Sequence, residues 1–96
     1  MNTRTVFKYT LYGNSTVINT HEGAEVISAG VDLSWQVVVW MLVDSAKPYV
    51  NRKVCAFNTG TWFDMEDAKF VGTVQVPSAW HGADIVWHVF DFGDIH

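Results

Sequence analysis

A run of seven consecutive apolar residues, 37–43, dominates the hydrophobic pattern of the chain. The run is too short to cross a bilayer as a helix, which takes about 20 apolar residues. Its β-branched and aromatic side chains favour an extended strand over a helix. Because the run is apolar at every position, both faces of that strand would avoid water. The pattern therefore predicts a central strand covered on both sides, by the rest of this chain or by a partner chain.

Shorter strand patterns precede and follow this run, and turn residues separate them. In residues 13–15, for example, glycine and asparagine tolerate a positive φ, which is typical of turns. Seven short strands joined by turns predict an all-β fold, mainly antiparallel, that is either a small sandwich or a partly open barrel. The further predicted strands are residues 3–12, 16–20, 25–31, 52–58, 70–76 and 85–92.

The 96 residues are expected to form a single β domain, 1–96, because so short a chain has no room for a second core. One helical feature interrupts the strand pattern. Thr61 and Asp64 resemble the start of a helix, where acidic side chains are favourable. We therefore expect at most one short helix, near residues 63–69.

Charge and cysteine content exclude several classes of protein. The net charge is −4, which opposes non-specific binding to nucleic acid, since such binding needs a basic surface. Cys55 is the only cysteine, so neither an intrachain disulfide nor a thiolate zinc site can form. Residues 1–5 lead directly into a strand pattern without an apolar signal segment. We therefore expect a cytoplasmic protein that does not bind membranes.

Several sequence fragments occur in an order that is characteristic of a known family. They are residues 8–11, 23–28, 39–44, 59–60, 70–73 and 88–91. In this order they resemble a family of small proteins encoded by bacteriophages and prophages and described only as a domain of unknown function. The chain departs from the family pattern in a longer loop at 78–82 and a longer tail at 92–96. The resemblance implies a phage accessory protein that interferes with host machinery in the host cytoplasm, and it supplies no catalytic residues.

A metal site is the first chemical possibility, because zinc accepts histidine and carboxylate ligands. The candidate ligands are His81, Asp84, His88, Asp91 and His96. Residues an odd number apart on a strand face opposite sides, so Asp91 would not join Asp84 and His88. Because no metal-binding spacing is present, we predict no metal and no cofactor. Whether His81, His88 or His96 binds a metal stays open.

The chain also lacks the pattern of a nucleophilic enzyme. No Gly-x-Ser-x-Gly motif is present, and nothing places a histidine beside Cys55. Cys55 lies inside a predicted strand, where a buried thiol behaves as a small hydrophobic group. We therefore predict that no residue is catalytic and that the protein is not an enzyme.

Basic residues are concentrated in one segment of the chain. Three of the six lie within seven positions, namely Lys47, Arg52 and Lys53, with Tyr49 between them. Arginine can hold a phosphate through two hydrogen bonds, and tyrosine can stack on a base. The segment is therefore a candidate site for a nucleotide or an anionic partner. The alternative is a solvated hairpin end, where basic side chains keep a sheet edge from aggregating.

Tryptophans near predicted turns are the other binding candidates: Trp35, Trp62 and Trp80. An exposed Trp80 beside His81 would serve as an interface anchor, because tryptophan is enriched among interface hot spots. The alternative is that this loop folds back and caps an open end of the sandwich. The predicted binding residues are Lys47, Tyr49, Arg52, Lys53, Trp62, Trp80 and His81.

These patterns together favour a non-enzymatic binding protein. A second subunit would cover the doubly apolar central strand economically, so we expect a homo-oligomer. The phage resemblance suggests that the partner is a host defence protein or a small signalling nucleotide that the protein sequesters. Two alternatives stay open: a structural or assembly component of the phage particle, and a small metal-dependent enzyme.

Overall fold

The structure, a computed structural model, describes residues 3–65, 67–77 and 84–95 of the chain. Every pairing between neighbouring strands is antiparallel. The prediction of an all-β antiparallel fold is confirmed, although several strand bounds differ: the fifth strand begins at Tyr49 rather than at residue 52, and the seventh ends at Ile95 rather than at residue 92. Within the described ranges the chain forms seven strands: β1 Thr5–Thr10, β2 Ser15–His21, β3 Glu25–Val31, β4 Val37–Val43, β5 Tyr49–Asn58, β6 Lys69–Val76 and β7 Ile85–Ile95.

The strands form a three-stranded sheet with the order β1-β4-β3 and a four-stranded sheet with the order β2-β5-β7-β6. The apolar run forms β4, the middle strand of the three-stranded sheet, as the pattern predicted. The two sheets pack face to face around a shared apolar core. Of the two predicted architectures, the sandwich is therefore the one that forms, and the strands do not close into a barrel.

The core lies between the sheets and is built from alternate residues, because successive side chains of a strand point to opposite faces. From β4 it receives Val39, Met41 and Val43, all fully or almost fully buried. Each buried valine, isoleucine, leucine or methionine contributes about 1.5–3 kcal/mol, so this layer is the main source of stability. The four-stranded sheet contributes Ile18, Val54, Ala56, Val74 and Val89.

The second face of β4 is covered only in part. Val38 is fully buried there, whereas Trp40 and Leu42 are half-buried. Trp40 lies over Gly30 of β3, so closely that a Cβ at Gly30 would come within 2.8 Å of the indole. The missing side chain at Gly30 makes room for the ring. The chain itself thus supplies part of the cover that the apolar run predicted.

No described residue between β5 and β6 is helical. Asp67 has a φ of 62°, in the left-handed region that a right-handed helix does not contain. The amide of Ala68 donates to the carbonyl of Met65 at 2.6 Å, which makes a turn before Lys69 begins β6. The short helix expected near residues 63–69 is therefore not formed by the described residues. Nowhere in the described ranges is there a helix long and apolar enough to cross a membrane.

Candidate functional site

The predicted basic segment lies on β5 and on the turn before it, and its side chains diverge. Alternation along β5 directs Arg52 and Lys53 to opposite faces of the four-stranded sheet. Arg52 reaches across one end of the sandwich, whereas Lys53 lies on the outer face. Lys47 is exposed in the turn between β4 and β5. The structure does not bring these basic side chains together.

Arg52 is held by a buried network at one end of the sandwich. Its Nε donates to Oδ1 of Asp91 at 3.0 Å, and its Nη2 donates to Oδ2 of the same carboxylate at 2.6 Å. Its Nη1 donates to the carbonyl of Ala24 at 2.6 Å and lies 3.4 Å from Oδ1 of Asp94. Oδ1 of Asp91 also accepts from the amide of Gly93 at 2.9 Å. Asp91 is 6% exposed, so this network is largely removed from water.

The network joins the two sheets, because Ala24 directly precedes β3 and Asp91 lies on β7. Hydrogen bonding to Asp91 raises the pKa of Arg52, burial opposes the rise, and the charges of Asp91 and Asp94 add to it. A raised folded pKa gives stability that is present below the unfolded pKa and is lost only as pH rises through the folded value. For arginine that window lies above about pH 12, so the contribution is constant at ordinary pH.

Lys47 and Tyr49 meet His21 at the edge of the four-stranded sheet. The ring centroids of His21 and Tyr49 are 4.3 Å apart. Nδ1 of His21 lies 2.8 Å from the carbonyl oxygen of Lys47 and donates to it, because a carbonyl only accepts. His21 is buried, while Tyr49 is exposed. The predicted stacking residue therefore already packs against a histidine, and most of its surface remains in solvent.

Phenylalanines form a layer on the outer face of the four-stranded sheet, away from the core. Phe63, from the segment between β5 and β6, stacks on Phe57 with ring centroids 4.1 Å apart. The ring centroid of Phe90 lies 4.9 Å from that of Phe63 and 5.5 Å from that of Phe70. We call the set the Phe face, and its members are Phe57, Phe63, Phe70, Phe90 and Phe92.

Strand alternation explains why these rings point outward. Ala56 of β5 and Val89 of β7 belong to the core, so the next residues, Phe57 and Phe90, face away from it. Sequence reasoning missed this surface. The signal is that β5 and β7, like β4, carry apolar residues at successive positions, which makes both of their faces apolar.

The Phe face is partly exposed, and neighbouring apolar side chains extend it. Phe70 is 56% exposed, and Phe63 also reaches solvent. Trp62 and Met65 lie in the same segment as Phe63 and are exposed, Trp62 to 97%. Larger exposed apolar patches mark interaction sites in soluble proteins. The predicted binding residue Trp62 therefore borders this surface.

Lys53 and Cys55 lie on the same outer side of β5 as Phe57. The ammonium of Lys53 is 4.9 Å from the centroid of the Phe92 ring, a cation–π contact that adds a positive charge to the Phe face. Cys55, opposite Phe90 in the sheet register, is buried. A thiol buried among aromatic rings acts as a packing group.

His88, the described histidine of the candidate metal set, is bound by hydroxyl groups. Its Nε2 lies 2.7 Å from Oγ1 of Thr59, and its Nδ1 lies 3.0 Å from Oγ1 of Thr73. Within residues 3–65, 67–77 and 84–95, no three His, Cys, Asp or Glu residues are grouped so that they could hold a metal. The predicted residues that lie outside the described ranges are Trp80, His81 and His96.

The family model of a domain of unknown function, DUF7352, matches residues 2–94 of the chain. No curated protein and no solved structure matches it. The match agrees with the resemblance to a family of unknown function, whereas a phage origin stays a prediction.

Proposed function

The chain belongs to the DUF7352 family of domains of unknown function, and we propose that it is a non-enzymatic binding protein whose Phe face occupies a partner protein. The proposal includes the setting that the phage resemblance implies: an accessory protein in the host cytoplasm, with a host defence protein as partner. The observation that carries the proposal is the layer of contacting phenylalanine rings on the solvent side of a sheet, with the exposed Trp62 next to Phe63 in the chain.

The arrangement of the rings favours binding energetically. Aromatic side chains anchor many interfaces because each buries a large area with few rotatable bonds. Phe57 and Phe63 are already stacked, so docking would order few additional torsions. Burying an exposed apolar side chain such as Phe70 contributes roughly 1.5–3 kcal/mol. A few such contacts supply the affinity of an ordinary protein complex.

Charge around this surface favours a protein over a nucleotide. A phosphate clamp needs basic side chains that converge, and Lys53 and Arg52 lie on opposite sides of β5. The guanidinium of Arg52 is also bound to Asp91. The complementary partner is an apolar surface with a carboxylate placed to meet Lys53.

Self-association through the same surface is the second candidate. A two-fold axis would bring the Phe face of one subunit onto that of the other, which would make the homo-oligomer that the apolar run of β4 predicted. Repeated self-association would also suit a structural component of a phage particle. The half-covered second face of β4 offers less apolar surface than the Phe face, because Val38 is buried and Trp40 lies over Gly30.

The test compares the double variant Trp62→Ser/Phe70→Ser with the control Leu33→Ser. Leu33 is fully exposed on the turn between β3 and β4 of the other sheet, so the control removes an accessible apolar side chain that is not part of the Phe face. A protein that co-purifies with the tagged chain from host cells is purified and recombined with each variant. Calorimetry then gives the dissociation constants, and light scattering gives the mass of each protein alone.

We expect the wild type and Leu33→Ser to bind equally, and the double variant to bind at least about tenfold more weakly. Equal binding by all three proteins would contradict the role of the Phe face. A wild-type dimer that the double variant dissociates, with no hetero-complex formed, would favour self-association instead. Circular dichroism confirms that each variant keeps its strands.

A further inference from the structure

A cleft of about 190 Å³ opens between the two sheets, toward the end opposite Arg52. Leu11 and Ala56 line it and are buried, so they form its floor. Trp35, on the turn between β3 and β4, and Trp87, on β7, also line it. Trp87 packs against the core, whereas Trp35 is 62% exposed. The cleft thus leads from solvent to the core between two indole rings.

The turn between β3 and β4 holds Trp35 at this cleft. Trp35 has a φ of 61°, in the left-handed region that bulky residues seldom occupy. Oδ1 of Asp32 accepts from the amides of Ser34 and Gln36, at 2.8 and 3.0 Å. The carbonyl of Asp32 accepts from the amide of Trp35 at 3.1 Å. These bonds fix the backbone that carries the indole, so a ligand would have to order only the side-chain torsions of Trp35.

The lining of the cleft selects a neutral ligand. Among the described residues, the lining side chains are apolar except for the amide of Gln36 and the indole N–H groups, and none carries a charge. A charged ligand would lose hydration there without gaining a partner. Indole rings attract other aromatic rings through offset or edge-to-face contacts, and the amide can hydrogen-bond one polar substituent.

The volume restricts the ligand further. An apolar cavity of about 150 Å³ binds benzene. The 190 Å³ of this cleft therefore accommodate one aromatic ring with a small substituent or a fused second ring. We propose that the cleft binds a small neutral aromatic molecule of the size of phenol or indole, between Trp35 and Trp87. The Phe face lies on the outer side of the four-stranded sheet, so either proposal can fail without the other.

The test begins with NMR titrations of the full chain with indole and with phenol. We expect saturable one-to-one binding with a Kd on the order of 1 mM or tighter. The largest shifts should be those of the indole N–H signals of Trp35 and Trp87. Cyclohexanol, the saturated counterpart of phenol, should bind about fivefold more weakly because it lacks ring–ring contacts. Benzoate, a charged counterpart, should bind at least about tenfold more weakly.

Two variants and a matched control locate the site. Trp35→Gly removes one indole and suits the positive φ, so it should fold and bind indole at least about tenfold more weakly. Val76→Phe adds volume to the lining and should block the cleft. Leu33→Ala changes a fully exposed side chain on the same turn, outside the lining, and should bind indole like the wild type.

Three results would each overturn the proposal. The first is the absence of saturable binding up to about 20 mM indole, well above the expected Kd. The second is a shift pattern centred on the Phe face instead of on Trp35 and Trp87. The third is unchanged affinity in Trp35→Gly. If that variant does not fold, the wild-type shift pattern and Val76→Phe give the answer.

Discussion

Arg52 and Ala56 lie four residues apart on β5 and both face the interior, yet the two ends of the sandwich that they occupy differ completely. Arg52 closes its end, because its guanidinium binds Asp91 and the carbonyl of Ala24. Ala56 has so small a side chain that a cleft of about 190 Å³ stays open beside it. One face of a single strand thus runs from a closed, charged network to an open, apolar cleft.

This difference shows which end of the sandwich is free to bind a ligand. A buried guanidinium must be paired, since an isolated buried charge is highly unfavourable. The residue with the most obvious ligand chemistry, Arg52, is therefore used to join the sheets. At the other end, the small residue Ala56 lines a cleft together with Trp35 and Trp87. In this protein, the cleft lined by Trp35 and Trp87 is therefore a better candidate for ligand binding than Arg52, whose guanidinium is already paired.

Breaking the charged end should have the largest effect. Arg52→Ala leaves the carboxylate of Asp91 buried without its partner, so the free energy of unfolding should fall by about 3–5 kcal/mol. Urea denaturation followed by tryptophan fluorescence measures this loss. A loss below about 1 kcal/mol is typical of a surface ion pair, and it would remove the distinction between the two ends.

A double variant sharpens that result. Arg52→Met with Asp91→Leu replaces the ion pair by apolar side chains of similar volume, and it should recover most of the stability that Arg52→Ala loses. Recovery should be incomplete, because the carbonyl of Ala24 loses its donor in both variants and the amide of Gly93 loses its acceptor in the double variant. Equal stability of the single and the double variant would place the loss at these backbone groups rather than at the charge of Asp91.

A hydrogen bond between the sheets, on the side of Arg52, should matter less. The hydroxyl oxygens of Tyr9 and Thr20 are 3.0 Å apart, and Thr20 is fully buried. Tyr9→Phe leaves the Thr20 hydroxyl without its partner, so the free energy of unfolding should fall by about 1–2 kcal/mol. Thr20→Val in the same background should add little further loss. An unchanged urea midpoint in Tyr9→Phe would show that this hydrogen bond contributes nothing to stability at the end of the sandwich that Arg52 occupies.

Removing Trp35 from the open end should change stability least. Trp35→Gly relieves a left-handed backbone conformation that costs about 1–2 kcal/mol for a residue with a side chain. The lost contacts of a largely exposed ring and the freedom of glycine in the unfolded chain oppose that gain. The free energy of unfolding should therefore stay within about 1 kcal/mol of the wild type in urea. A loss above about 3 kcal/mol, as large as that of a broken buried ion pair, would show that Trp35 closes its end as firmly as Arg52 closes the other.

The strands were more predictable than the segment between β5 and β6. β3 has the predicted bounds, because the turn residues beside it and the β-branched residues within it set the local backbone conformation. The acidic residues near Asp64 indicated a helix start, but Asp67 adopts a positive φ and the described residues form a turn. That segment lies where Phe63 stacks on Phe57, a contact that local propensity does not contain.

The candidate site was predictable only in part. Trp62 was placed among the binding residues because it follows turn residues, and it borders the Phe face. The partners of Arg52 were not predictable, since Asp91 lies 39 positions away in the chain. The Phe face was missed because its rings come from three strands and a connecting segment. Each of these contributes only one or two phenylalanines, so no single stretch of sequence indicates an aromatic surface.

The strands, their turns and the alternation of side chains follow from the amino-acid pattern, because each depends on residues within a few positions of one another. The tertiary structure settled which apolar faces meet, since β4, β5 and β7 are apolar on both sides and alternation does not distinguish the face that turns to the core. It also decided that Arg52 meets Asp91 and that Trp35 and Trp87 line one cleft. These contacts join residues that are far apart in the chain. Whether such residues come close in space depends on the order of the strands in each sheet, which no local pattern encodes.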